Sequence, residues 1–294
     1  MKFGELLRRL LINPEEARLR SGWRLLAQFL LLILITIVFA LPALAVMDLW
    51  PNLTGVALIL SNGFPIVVSV FIARRLFDKR SVESLGLRLG RQAGRDVLVG
   101  IGIAAFQTGF VFVLQLAFGW AQVAGFAWQQ QAPLGVVRNF ILWLLIYLAV
   151  GFYEELFSRG YHLKNLEDGT NTFWAVLLSS MFFGVIHLFN PNASWYSAAG
   201  ITLSGVFMAY AVLRTRQLWL SIGLHIGWNL FLGTVFGFPV SGLSNPGLIV
   251  VQVEGPVLYT GGAFGPEAGL VLLPALGVGA VLVWLVTRGR LLDK

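Results

Sequence analysis

The chain has 294 residues, of which 57% are hydrophobic and only 12% charged, about half the roughly 25% charge of a soluble domain. Charge this sparse, set between long apolar runs, excludes a soluble globular protein and describes a polytopic membrane protein. There is no cysteine, which excludes disulfides, thiolate metal sites and thiol nucleophiles; the net charge of +7 raises nucleic acid as a partner, which the placement of the charges argues against.

Met1 to Arg24 is polar and amphipathic and carries Lys2, Arg8, Arg9, Arg18, Arg20 and Arg24. Leu25 to Met47 is apolar and long enough for the roughly 20 residues of a span. Ala43-Leu44-Ala45 resembles a signal-peptidase site, but the run exceeds the roughly 7–15 residues of a signal h-region, so an uncleaved first span is expected. Pro51 to Ala73 reads as the second span, with a kink at Asn62-Gly63-Phe64-Pro65. A basic loop, Arg74 to Arg95, precedes a third span from Val97 to Gln122. Val123 to Pro133 reads as a short turn. The fourth span begins near Leu134 and runs into Glu154-Glu155. Spans five to eight are expected at Thr172–Phe189, Trp195–Leu213, Leu218–Gly237 and Ala268–Val286. A Gly- and Pro-rich segment, Phe238 to Pro266, stands before the last of them and falls on the outer side.

The expected fold is therefore all-α, a transmembrane bundle of about eight spans with both termini cytoplasmic. Eight spans put both termini on one side. Of the 21 Lys and Arg, all but Arg138 fall on that side. The positive-inside rule makes it cytoplasmic, and the positive charge reads as topology and contact with anionic headgroups, not nucleic acid. A bacterial inner membrane is the simplest address. Three regions follow: residues 1–133 with the amphipathic segment and three accessory spans, 134–237 with the polar-bearing spans, and 238–294 with the outer segment and last span.

Ionisable residues inside spans are costly and serve as functional candidates by default. Glu154 and Glu155 end the fourth span. On an α-helix Glu155 and Arg159 share a face at i,i+4, while Glu154 points about 100° away and is left to face a cavity. The plain alternative is an ion pair where the helix leaves the membrane. Span five carries His187, one turn after Phe183. Span seven carries His225 and Asn229, again at i,i+4. A lone histidine on an apolar helix is more often a bonded structural group, and polar side chains also join helices in lipid. Acid/base residue types on three helices nevertheless match the way bundle-core sites are built.

The three patterns read Glu154-Glu155-Leu156-Phe157-Ser158-Arg159, Phe183-Gly184-Val185-Ile186-His187 and His225-Ile226-Gly227-Trp228-Asn229. In this order, EExxxR, FxxxH and HxxxN resemble the CAAX-protease and bacteriocin-processing (CPBP) family of intramembrane proteases. The stretch GVFMAYAVLRTRQLWLSIGLHIGWN is similar to the third-motif region of that family, and the basic DKRSVESLGLR loop resembles a segment that many bacterial members carry. The resemblance covers about residues 134–235.

The resemblance implies peptide hydrolysis within the membrane, on a membrane-associated or lipidated protein or peptide. In that scheme Glu154 acts as general base on a water, and His187 shares the water and passes a proton to the leaving amine. His225 and Asn229 donate to the oxyanion, the Glu155–Arg159 pair holds the helix, and Phe183 shapes the site. No cofactor is expected. The alternative is zinc held by Glu154, His187 and His225 with a water in the fourth position; against it, HExxH is absent and Asn229 is a poor zinc ligand. A serine mechanism lacks its GxSxG elbow. A different class of function is a non-catalytic membrane protein: a bacteriocin-immunity factor, a scaffold or a proton-coupled transporter using the same polar cluster. A relay spreads polar groups through the membrane depth, whereas here they gather in spans four, five and seven.

Overall fold

The computed structural model describes residues 5, 10–50, 57 and 59–291. Two short strands, β1 (Ile12–Asn13) and β2 (Arg18–Leu19), pair antiparallel and lead into the long helix α1 (Ser21–Leu49). A π-helical stretch, Ile59–Gly63, passes into α2 (Phe64–Leu76). Then follow α3 (Arg91–Ala117), β3 (Ala121–Phe126), α4 (Pro133–Glu155), α5 (Leu163–Gly169), α6 (Thr172–Ile186), α7 (Trp195–Thr215), α8 (Trp219–Asn229), β4 (Ile249–Val253) and α9 (Leu272–Thr287). The class is all-α, as expected.

Among the described residues, six of the eight expected spans are helices long and apolar enough to cross a membrane: Ser21–Leu49, Arg91–Ala117, Pro133–Gly169, Thr172–Phe189, Trp195–Thr215 and Leu272–Arg290. The second lies partly outside the described residues, and the seventh, helical from Trp219 to Val235, is shorter. The expected kink at Asn62-Gly63-Phe64-Pro65 falls where the π stretch gives way to α2, with Pro65 in the first turn, where a missing N–H costs little. Residues 51–56 and 58 of that expected span lie outside the described residues. The seventh changes from α8 to a π-helix at Leu230–Val235. The segment after Gln122 is not simply a turn. Strand β3 pairs antiparallel with β4 from the Gly- and Pro-rich segment, Ala121 opposite Val253 and Phe126 opposite Ile249, with a register shift between Val123 and Gly125.

By packing, the chain divides into two compact units. The first comprises Met1–Arg88 and Phe152–Ser179. Its interior is ionic at one point. Asp78 accepts from Arg74 at 2.6 Å and from Arg24 at 3.3 Å, and the Tyr161 hydroxyl and Asn165 amide also donate to it. Asp168 accepts from Arg18 at 3.0 Å and from Arg24 and Arg80 at 3.3 Å. Buried arginines thus leave few of their donors to face apolar surroundings, which is the condition for burying charge. Gly63 admits Tyr153: a Cβ there would lie 2.6 Å from Tyr153 Cδ1.

The second unit comprises Leu89–Gly151 and Ser180–Lys294. Helix α8 lies very close to α3, because small residues let the backbones approach. A Cβ on Gly100 would sit 2.5 Å from the Leu220 carbonyl, and one on Gly227 would sit 2.8 Å from Ile101 Cα. Around this contact Ile103, Ala104, Val111, Leu220, Leu224 and Trp228 form the core. Helix α9 docks on α3 through Gln107, whose amide donates to the Ala275 carbonyl at 2.8 Å, and through Arg290, which donates to Asp96 at 2.8 Å. Gly184 of α6 faces the Ala198 carbonyl and Thr202 of α7, with no room for a side chain.

Candidate active site

In the first unit, Glu155 is the last residue of α4, and residues Leu156–His162 continue as a π-helix before α5. The chain therefore changes helical register inside the EExxxR pattern, a feature that recurs at functional sites. Arg159 Nη1 donates to Glu155 Oε1 at 3.0 Å, with the two side chains 1% and 0% exposed. The expected pair is thus present, and it is an interior pair. Glu154 is half-buried, and its field also reaches Arg159. The third histidine, His162, is buried and bonds through Nδ1 to the Phe157 carbonyl oxygen at 2.8 Å. It fills a structural position.

In the second unit, His187 opens a 3₁₀ turn, His187–Phe189, at the end of α6. Its Nδ1 lies 2.7 Å from the Phe183 carbonyl oxygen. A carbonyl only accepts, so Nδ1 carries the proton and Nε2 keeps the lone pair in the neutral ring. The Phe183 ring stands edge-on to His187 with centroids 4.6 Å apart, and to His225 with centroids 6.3 Å apart. One phenyl side chain thus meets both histidines. Asn229 is the last residue of α8, followed at once by the π-helix Leu230–Val235. His225 and Asn229 line a small cavity of about 30 Å³ together with Gln107, Ser204 and Glu267, enough to admit water. All three patterns therefore sit where an α-helix changes type.

The predicted residues divide between the units. Glu154, Glu155 and Arg159 belong to the first, and Phe183, His187, His225 and Asn229 to the second, where Phe183 brings the two histidines together. Sequence reasoning missed Glu267, which follows Pro266 and precedes α9. It is 4% exposed and lines the same cavity as His225 and Asn229. An acid between a Gly-rich stretch and an apolar run reads as a solvated loop charge; its only signal is its place at the mouth of a span. Among the described residues, no group of three or more His, Cys, Asp or Glu side chains is placed to hold a metal ion.

Residues 136–231 match the family model described as Rce1-like, Type II CAAX prenyl endopeptidase Rce1-like. The matched stretch contains all three patterns. The chain is also 32% identical over 103 residues to a Bacillus subtilis (strain 168) protein named "Putative membrane peptidase YdiL". That alignment covers 35% of this chain and 40% of the relative, so the chain spans well under half of the length of that protein.

Proposed function

On the match of residues 136–231 to the Rce1-like family model, we propose that the chain is an intramembrane endopeptidase. Its substrate would be a membrane-associated or lipidated protein or peptide, and it would work in a bacterial inner membrane with both termini cytoplasmic. Glu154 takes a proton from a water as it attacks the scissile carbonyl, and the C–O bond forms. His187, with Nδ1–H held on the Phe183 carbonyl, presents the Nε2 lone pair to the reacting groups; Nε2 takes up the proton that Glu154 removed from the water and hands it to the leaving nitrogen as the C–N bond breaks. His225 and Asn229 donate to the tetrahedral oxyanion, each such donor being worth about 2.7–4 kcal/mol. Glu155 and Arg159 neutralise each other and fix the chain beside Glu154.

The observation that carries this reading is the contact of one phenyl ring, Phe183, with both histidines inside the family-matched stretch. It supports a localised acid/base site over a relay spread through the membrane. The test is cleavage of an internally quenched peptide ending in a farnesylated CAAX-type sequence, beside its unprenylated twin, by purified protein in detergent. Cleavage by the wild type and none by Glu154→Gln is expected. Equal cleavage by Glu154→Gln would sink the catalytic assignment, and no cleavage of either peptide by the wild type would sink the peptidase reading in favour of a binding role.

A further inference from the structure

Glu267 is a buried acid that the proposed chemistry does not use, and it lies outside the matched residues 136–231. Its Oε1 accepts from the indole N–H of Trp228 at 3.0 Å. Its Oε2 accepts from the backbone N–H of Ser241 and, at 2.9 Å, from the Ser241 hydroxyl. Trp228 stands between His225 and Asn229 on α8. The Ser241 carbonyl accepts from Asn190 Nδ2 at 2.9 Å, and Asn190 caps the 3₁₀ turn that begins at His187.

Ser241 itself holds φ at 48°, in the left-handed region that a non-glycine residue rarely adopts. Next to it, the Gly242 N–H donates to the Phe264 carbonyl at 2.9 Å, which keeps the turn against the segment that ends at Glu267. The position is surrounded by donors: an indole N–H, a backbone N–H and a hydroxyl. An acceptor on both oxygens suits them, and a carboxamide offers an acceptor on only one of its two atoms. The cavity lining supplies a further polar group, Gln107 Oε1, which has no hydrogen-bond partner among the described residues.

We propose that Glu267 is a positioning residue for this site. It ties the helix that carries His225 and Asn229, through Trp228, to the Ser241 turn, and that turn ties through Asn190 to the turn that carries His187. The outer Gly- and Pro-rich segment thereby acquires a role: it delivers Ser241 to the histidine side of the site. For its activity readout the inference rests on the endopeptidase reading; the bonding geometry stands apart from it.

The test pairs kinetics with amide exchange on the full-length protein in detergent. With the farnesylated quenched peptide as probe, Glu267→Gln and Trp228→Phe each lower kcat by about tenfold or more with KM held within about twofold. Because both break one connection, the double variant falls no more than about twofold below the worse single one. In Glu267→Gln, hydrogen exchange quickens at residues 222–230 and 239–243. A kcat for Glu267→Gln within about twofold of wild type, or losses that multiply in the double variant, overturns the positioning role. If the wild type cleaves nothing, the endopeptidase reading fails by itself, and exchange still decides: unchanged exchange in Glu267→Gln overturns the inference. Should Glu267→Gln not fold, Ser241→Ala, which removes one of the two donors to Oε2, is expected to show the same exchange pattern and about a threefold fall in kcat, and wild-type values for both overturn the role.

Discussion

His187 Nδ1 lies 2.7 Å from the carbonyl oxygen of Phe183, one helical turn earlier in the chain. The FxxxH spacing thus does two separate things. The backbone of Phe183 fixes which imidazole nitrogen holds the proton, and its ring spaces His187 from His225. Any residue at position 183 supplies the carbonyl; only an aromatic one supplies the ring contacts. His187→Ala is therefore expected to lower kcat/KM by about a thousandfold, in the range of a lost general acid/base. Phe183→Leu is expected to lower it by only about three- to tenfold, the worth of aromatic contacts. Kinetics on the farnesylated peptide, with a thermal melt of each variant, checks both. A Phe183→Leu enzyme as inactive as His187→Ala, yet folded, would move the importance of the motif from the carbonyl to the ring.

The Glu155–Arg159 pair predicts stability rather than rate. Both side chains are essentially fully buried and 3.0 Å apart. Removing one partner leaves an uncompensated charge in the interior, at a cost of about 3–5 kcal/mol. Arg159→Met and Glu155→Gln should each lower unfolding stability by about that amount. The double apolar variant Glu155→Leu/Arg159→Met should recover most of it. Glu154→Gln, at a half-buried neighbour, should change stability by less than about 1 kcal/mol while abolishing cleavage. Chemical unfolding in mixed detergent micelles measures all four. A single-site loss below about 1 kcal/mol would mean that the pair is open to water.

Much of this site is visible in the residues themselves. Six of the eight apolar runs, the Glu155–Arg159 spacing and the two histidine motifs depend on local periodicity and have structural counterparts. What escapes a reading of the sequence depends on contacts far apart in the chain. The strand Ala121–Phe126 forms because Ile249–Val253 comes to lie beside it, and neither stretch announces its partner. The changes from α to π at Leu156 and Leu230 and to 3₁₀ at His187 are register shifts that helical spacing does not encode. Glu267 escapes for the same reason: its meaning lies in Trp228 and Ser241, which bond to it from other elements.

Glu267 also gives the protein a pH dependence with a definite sign. Burial pushes its carboxyl above the ordinary carboxylate range; the bonds from Ser241 and Trp228 pull the other way without cancelling this. The folded state therefore holds that proton more tightly than the unfolded chain does. Its stabilising contribution is fully present below the ordinary carboxylate pKa and is lost as pH rises through the raised folded value. Tyr147 feels its charge, and His225 shares its cavity. Melting temperature followed from acid to neutral pH should fall through this window in the wild type, and Glu267→Gln should lack that component. Parallel profiles for the two proteins would show that Glu267 ionises in the fold as it does in water.

Metal content is where the two chemistries part. A proton on His187 Nδ1, shared with the Phe183 carbonyl, suits a general base and would equally suit a zinc ligand, since ligating histidines commonly give their other N–H to a carbonyl. The remaining donors argue for the water mechanism: the chain has no cysteine and no HExxH, and Asn229, the partner of His225 on its helix face, favours an oxyanion over zinc. Protein purified without added metal is expected to hold zinc well below one per chain and to keep its cleavage rate in the presence of a chelator. Zinc near one per chain, lost in His187→Ala/His225→Ala, would instead make Glu154, His187 and His225 a ligand set. Glu154→Gln would then lose metal and activity together, whereas a glutamate base loses activity alone.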